Sequence, residues 1–385
     1  MELKTQLTHG GTDKKQHFGA SSLPIFQTST FHQEMPEQLG QYDYARSGNP
    51  SRAALEETVA LLEGGAVGVA FASGMAAISS TLLLFKPGDH IIVSRDIYGG
   101  TFRVLTSLFK DWGLEATFID FSKDDSVEKA ITKNTRAIIV ETPSNPLLSI
   151  TDLKKVVEVA KRNQLLTIID NTFMTPYLQK PLELGFDIVL HSATKFLGGH
   201  SDVIAGVAVA REEYLGKRLK FIQNAFGAIL GPFDSWLVLR GIRTLGARLE
   251  QQQQTARELA LWLNSHPKVK KVYYPELEGH TGRATHLGQA SGGGAVLSFE
   301  LADGETTIKF LKSLKIPLVA VSLGGVETIV SYPVTMSHAA MPQEERENRG
   351  ITDALVRLSA GLEAVKDLQE DIERAIEEAT INTLK

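Results

Sequence analysis

The residues best suited to do chemistry lie in Ser192-Ala193-Thr194-Lys195-Phe196-Leu197-Gly198-Gly199-His200-Ser201-Asp202. They follow a short apolar run, Ile188-Val189-Leu190, that reads as a buried strand. Lys195 sits among small hydroxylated residues and glycines, with no other charged residue until Asp202. Burial strips water from an ammonium group, lowers its pKa and frees an amine that attacks carbonyls. A strand-end lysine with its head in solvent fits the same stretch equally well.

A second stretch separates these readings. Leu165-Leu166-Thr167-Ile168-Ile169-Asp170-Asn171-Thr172 is another apolar run, ending in an aspartate 25 residues before Lys195. A carboxylate at the end of a buried strand needs a cation or a donor. A helix N-cap or a metal ligand would also explain Asp170, but no second carboxylate or histidine cluster accompanies it. Pyridoxal-phosphate enzymes combine a Schiff-base lysine with an acid that keeps the ring nitrogen protonated.

Both stretches resemble the cystathionine synthase and lyase family of pyridoxal-phosphate enzymes. The resemblance runs from Thr8 to the last helix. It takes in Tyr44-Ala45-Arg46-Ser47-Gly48-Asn49-Pro50, Ser73-Gly74-Met75, Tyr98-Gly99-Gly100-Thr101, Glu141-Thr142-Pro143-Ser144-Asn145-Pro146 and Arg357-Leu358-Ser359. It implies a fold-type I α/β architecture, with a mainly parallel central sheet and a smaller C-terminal α/β domain. It implies pyridoxal phosphate as the cofactor, carried on Lys195, whose freed amine removes the substrate α-proton. Asp170 partners the ring nitrogen, with Thr172 in the same site. The Tyr98 ring stacks on the cofactor and its hydroxyl can move a proton. Asn145 stands near the phenolic oxygen, and Arg103 and Glu141 are further polar neighbours. Arg357, helped by Ser322, holds the substrate α-carboxylate. Tyr44 and Arg46 contact the cofactor phosphate of a neighbouring subunit, which implies a homotetramer built from dimers.

The elements that must position these residues are legible by pattern. Ser51 to Glu63 reads as a helix, Val67 to Ala72 as a strand, and a helix begins at Ser73-Gly74-Met75. A strand, a glycine turn and a helix start make an anion site, because the first helical N–H groups are unpaired. The phosphate is assigned to Ser73, Gly74 and Met75, with hydroxyl donors from Ser192 and Thr194; a glycine kept only for close packing is the plain alternative. Neither a Walker loop nor a dinucleotide fingerprint is present. Further strands are expected at His90–Val93, Ala116–Ile119, Ala137–Val140, Leu166–Ile169 and Ile188–Leu190. Helices are expected at Thr101–Trp112, Val127–Ile131 and Asp152–Arg162. This alternation predicts a parallel sheet covered by helices, with the ligand beyond the carboxyl ends of its strands.

Residues 1–52 read as an irregular arm lying across another surface, which the resemblance implies is that of a neighbouring subunit; 53–245 read as the cofactor domain and 246–385 as a C-terminal domain. One long helix is expected over Phe233–Ser265, with Gln251–Gln254 as an exposed polar face. Strands at Val269–Tyr274, Ala295–Phe299 and Val326–Ser331 and helices at Glu305–Leu314 and Lys366–Ala379 follow. His280 and His286 read as surface residues, without a third ligand for a metal. Arg357 interrupts an apolar strand, which is costly unless an anion meets it; a snorkelling edge arginine is the alternative.

The chain has 385 residues, 43% hydrophobic and 22% charged, with a net charge of −5 and no cysteine. No basic tail invites nucleic acid, no apolar run approaches the roughly 18 residues of a membrane span, and no disulfide is possible. A cytoplasmic enzyme without a metal is expected. Val321 precedes Ser322, where the resembled γ-synthases and many γ-lyases carry a glutamate. Methionine γ-lyases also tend to have valine there, but usually a cysteine where this chain has Gly100. The resemblance therefore favours a carbon–sulfur lyase cleaving cystathionine at its β-carbon. A γ-lyase or homocysteine desulfhydrase is the alternative, then a methionine γ-lyase or a cystathionine γ-synthase. A non-catalytic carrier would have a damaged site, and Lys195, Asp170, Tyr98 and Arg357 are all in place.

Overall fold

The computed structural model describes residues 1–11, 17–35, 37–121, 126–339 and 341–381. The alternating apolar runs form a seven-stranded sheet of β1 (Val67–Phe71), β2 (His90–Ser94), β3 (Glu115–Ile119), β4 (Thr135–Glu141), β5 (Leu166–Asp170), β6 (Ile188–Ser192) and β7 (Gly206–Ala210). The order across the sheet is β1-β7-β6-β5-β4-β2-β3. Strands β2 to β6 pair in parallel, whereas β7 is antiparallel to β1 and β6. Helices on both faces bury most of the central strands, which is why these read as continuous apolar runs. One face packs Leu55, Val140 and Phe186, the other Phe71, Ile91 and Leu105.

Helix α1 (Leu3–His9) opens the chain, and α2 (Pro50–Glu63) is started by Asn49, whose side chain accepts from the N–H groups of Ser51 and Arg52. Helix α3 (Gly74–Leu82) follows β1 directly and is capped by Ser73, whose hydroxyl accepts from Ala76 N at 3.0 Å. A second sheet holds β8 (Lys271–Tyr273), β9 (Val296–Glu300), β10 (Leu318–Val319), β11 (Ile329–Ser331) and β12 (Leu355–Ser359). It is antiparallel except where β10 meets β11. The helix Leu245–Asn264 serves both cores: Leu245 and Leu249 pack in the first, Leu259 and Leu263 around the second sheet.

Several expectations are corrected. The first residues are not wholly irregular, since α1 buries Leu7 in the core. The helix expected over Thr101–Trp112 breaks at Ser107, whose hydroxyl bonds back to the Arg103 carbonyl at 2.6 Å. The long helix is two, Pro232–Ile242 and Leu245–Asn264. At that break the Arg248 guanidinium bonds the Gly241 carbonyl at 2.7 Å and Thr244 Oγ1 at 3.0 Å, taking the place of helical donors. The glutamine run is only partly exposed: Gln252 is buried and donates to the Gly325 carbonyl at 2.6 Å. His286 is no surface residue; it is 0% exposed and its Nε2 bonds the Gly292 carbonyl at 2.8 Å. His280 is half-buried, 3.1 Å from the Leu148 carbonyl. Strand β7 and the helix Glu213–Phe226 have no counterpart in the sequence reading. The small residues of 206–210 become a strand because they fill the gap between β1 and β6.

Candidate active site

Strands β1, β2, β4, β5 and β6 all run in one direction, so the segments following them meet along one edge of the sheet. A cavity of about 480 Å³ opens there. Every predicted site residue except Tyr44 and Arg46 lines it, Arg103 and Glu141 included.

Lys195 follows β6, and its Nζ donates to Ser322 Oγ at 2.6 Å. Burial, and then the charge of Arg357, bring its pKa down to about 8. Ser322 lies in the left-handed region at φ 90°, a strained conformation for a residue with a side chain. Its carbonyl accepts from Arg357 Nη2 at 2.6 Å. Arg357, on β12, is 3% exposed, and its other acceptors are Asn145 Oδ1 and Ser331 Oγ, both at 2.9 Å. Its Nε is buried without a partner, and burial pulls its pKa to about 10. A guanidinium that meets only neutral oxygens and has a donor to spare is suited to an anion such as a carboxylate.

Asp170 ends β5. Thr172 donates to its Oδ1 twice, from N at 3.0 Å and from Oγ1 at 2.5 Å. Burial holds the carboxyl above its ordinary pKa, and the Thr172 bonds offset part of that rise. Among the described residues no cation pairs with Asp170, and no group of three or more His, Cys, Asp or Glu could hold a metal. Beside it, in register on β4, Glu141 accepts from Tyr98 N at 2.7 Å and from Asn145 N at 3.2 Å. Burial and then the Asp170 charge push the Glu141 carboxyl well above the usual range.

The Ser73–Gly74 turn is held open by shape. A Cβ on Gly74 would lie 2.9 Å from Ser192 Cβ, so only glycine lets β6 approach the start of α3. Thr194 Oγ1 is tied to Ala205, accepting from its N at 3.0 Å and donating to its carbonyl at 3.2 Å. Phe173, Ile204 and Met336 also line the cavity. Loops bring them there, and no periodicity in the sequence marks them. Tyr44 and Arg46 are exposed in a separate surface depression, with the Arg46 guanidinium 5.4 Å over the Tyr44 ring.

A desolvated amine, a carboxylate lacking a cation and an open helix start on one sheet edge define a pyridoxal-phosphate enzyme of the α/β kind. The residues present fit that group: Lys195 for its carbonyl, Asp170 for its pyridinium nitrogen, and the start of α3 with nearby hydroxyls for its phosphate. The chain belongs to the Cys/Met metabolism PLP-dependent enzyme family, whose model matches residues 4–377. It is 57% identical over 376 residues to cystathionine beta-lyase MetC of Bacillus subtilis (strain 168), covering 98% of this chain and 96% of that protein. It is 49% identical over 377 residues to the cystathionine gamma-lyase of the same organism, covering 98% of this chain and 100% of that one. The crystal structure of cystathionine gamma-lyase from Lactobacillus plantarum complexed with L-serine superimposes with a TM-score of 0.96 at 46% identity, covering 98% of this chain and 99% of that one.

Proposed function

We propose that the protein cleaves the Cβ–S bond of L-cystathionine, giving homocysteine, pyruvate and ammonia. The observation that carries the β-specificity is Val321, an exposed apolar residue on the cavity wall directly before Ser322. It stands where the γ-synthases and many γ-lyases that the chain resembles carry a glutamate. The 57% identity to a protein named as a cystathionine beta-lyase supports the same reading.

Bound pyridoxal phosphate supplies a carbonyl that condenses with amines and a ring that accepts electrons. Arg357 binds the substrate α-carboxylate and so sets which face of Cα meets the lysine. Lys195 Nζ, whose neutral form is favoured by burial, takes the proton from Cα. Ser322 Oγ, 2.6 Å from that nitrogen, aims it. Asp170 holds the proton on the ring nitrogen, and Thr172 keeps the carboxylate turned toward the cavity. Tyr98, on the cavity wall, would offer its flat ring to that of the cofactor. The sulfur leaves Cβ with the bonding electron pair and gains a proton to become the homocysteine thiol. The remaining three-carbon fragment takes up water and ends as pyruvate and ammonia.

The same proposal has the enzyme working in the cytoplasm as a homotetramer of two dimers. Tyr44 and Arg46 lie outside their own chain's cavity, which supports their serving a neighbour's. No helix among the described residues is long and apolar enough to cross a membrane. Product analysis of the holoenzyme on L-cystathionine tests the reaction. Pyruvate with homocysteine is expected; 2-oxobutyrate with cysteine would make the enzyme a γ-lyase.

A further inference from the structure

We infer that Glu141 is a positioning residue: its carboxylate fixes the two turns that carry Tyr98 and Asn145 and, through Asn145, sets Arg357 relative to Lys195. This rests on the roles proposed above for those four residues.

Glu141 is the last residue of β4, which lies between β2 and β5 near the middle of the sheet. It is 6% exposed, and among the described residues no cation pairs with it. Each oxygen serves a different turn. Oε2 accepts from Tyr98 N, after β2, and Oε1 from Asn145 N, after β4 itself. From Asn145 the connection continues without a gap. Arg357 Nη1 donates to Asn145 Oδ1, Arg357 Nη2 to the Ser322 carbonyl, and Lys195 Nζ to Ser322 Oγ. Hydrogen bonds and the residues they connect therefore join the Tyr98 backbone, Arg357 and the Lys195 amine, which come from segments far apart in the chain.

A framework alone does not account for a carboxylate here. Burying one without a direct ion pair, in register with Asp170, is costly. Asp170 on β5, Asp96 before the Tyr98 turn and Arg357 on β12 are the charged groups that face it. An amide of the same shape has one acceptor atom and would set its NH₂ against one of the two N–H groups. Only a glutamate of this length accepts from both turns at once. Glu141 touches no reacting atom in this scheme; it acts by holding the residues that do.

Glu141→Gln and Glu141→Asp in the holoenzyme test this. Three readouts are needed: the thermal midpoint, the visible circular dichroism per mole of bound cofactor, and kcat and KM on L-cystathionine. Leaving one of the two buried N–H groups without its acceptor predicts a fall in kcat/KM of about 10- to 100-fold for the glutamine variant. Weaker visible dichroism per bound cofactor and a raised KM are expected with it, because the ring-side turn and Arg357 both shift. The shorter aspartate keeps the charge but reaches only one turn. It is expected to show the same dichroic loss and serves if the glutamine variant does not fold. Wild-type dichroism per bound cofactor in either folded variant, whatever the change in thermal midpoint, would overturn the inference. The dichroism is read without substrate, so it stands even if product analysis shows γ-cleavage.

Discussion

Lys195 acquires its reactivity from its surroundings. Burial is the larger cause and the nearby Arg357 charge the second, and both favour the neutral amine. The sign follows directly: below about pH 8 the nitrogen is protonated and unreactive, and above it the free amine dominates. In cofactor-free protein, the rate of pyridoxal-phosphate capture should rise with pH and level off above a midpoint near 8. A midpoint near that of an ordinary lysine, about 10.4, would mean a solvated side chain. Arg357→Met removes the like charge, so it should move the midpoint upward while weakening substrate binding. Both shifts can be read from one pH series of capture rates and one KM measurement.

At the scale of elements, the site depends on how closely β1, β6 and β7 meet. A Cβ on Gly206 would lie 2.1 Å from the Ser73 carbonyl oxygen, a backbone atom with no freedom to retreat. Gly206→Ala should therefore destabilise the fold by about 1–3 kcal/mol in urea unfolding, and displace the residue that caps α3. Gly74→Ala meets Ser192 Cβ at 2.9 Å, a milder conflict on the cavity wall. The fold should survive that change while cofactor affinity, read by fluorescence titration, falls. Unaltered affinity would show that the start of α3 is not the phosphate site. Arg248 does related work at the helix break: its Nη2 also bonds the Phe196 carbonyl at 2.9 Å, next to Lys195.

At the scale of the whole molecule, one chain does not gather all its predicted site residues. Helix α1 docks on its own core, while Tyr44 and Arg46 stay exposed in a separate depression. Sites shared across subunits predict complementation. Arg46→Ala and Lys195→Ala variants, each nearly inactive, should regain activity when unfolded and refolded together, because mixed dimers contain one site with both native residues. Failure to regain any activity, with mixed oligomers present, would place Arg46 outside the phosphate site.

Much of this protein is determined by local pattern. The apolar runs at 166–169 and 188–190 became β5 and β6 because a strand covered on both faces needs apolar side chains throughout. Asp170 and Lys195 stood out because a charged group just beyond such a run must have a partner or a task. Ser73-Gly74 was legible because only certain residues cap a helix and leave room beside it. Strand β7, with its small residues, and the breaks at Ser107 and Thr244 were not legible, since neighbours in space decide them. His286 was misjudged for the same reason, its partner being the carbonyl of a loop it packs against. Only the tertiary structure set Ser322 against Lys195 and Arg357 against Asn145. Those pairs are separated by 127 and 212 residues, and hydrogen bonds of that span arise from packing segments of the second sheet against the loops that follow β4 and β6 rather than from any local rule.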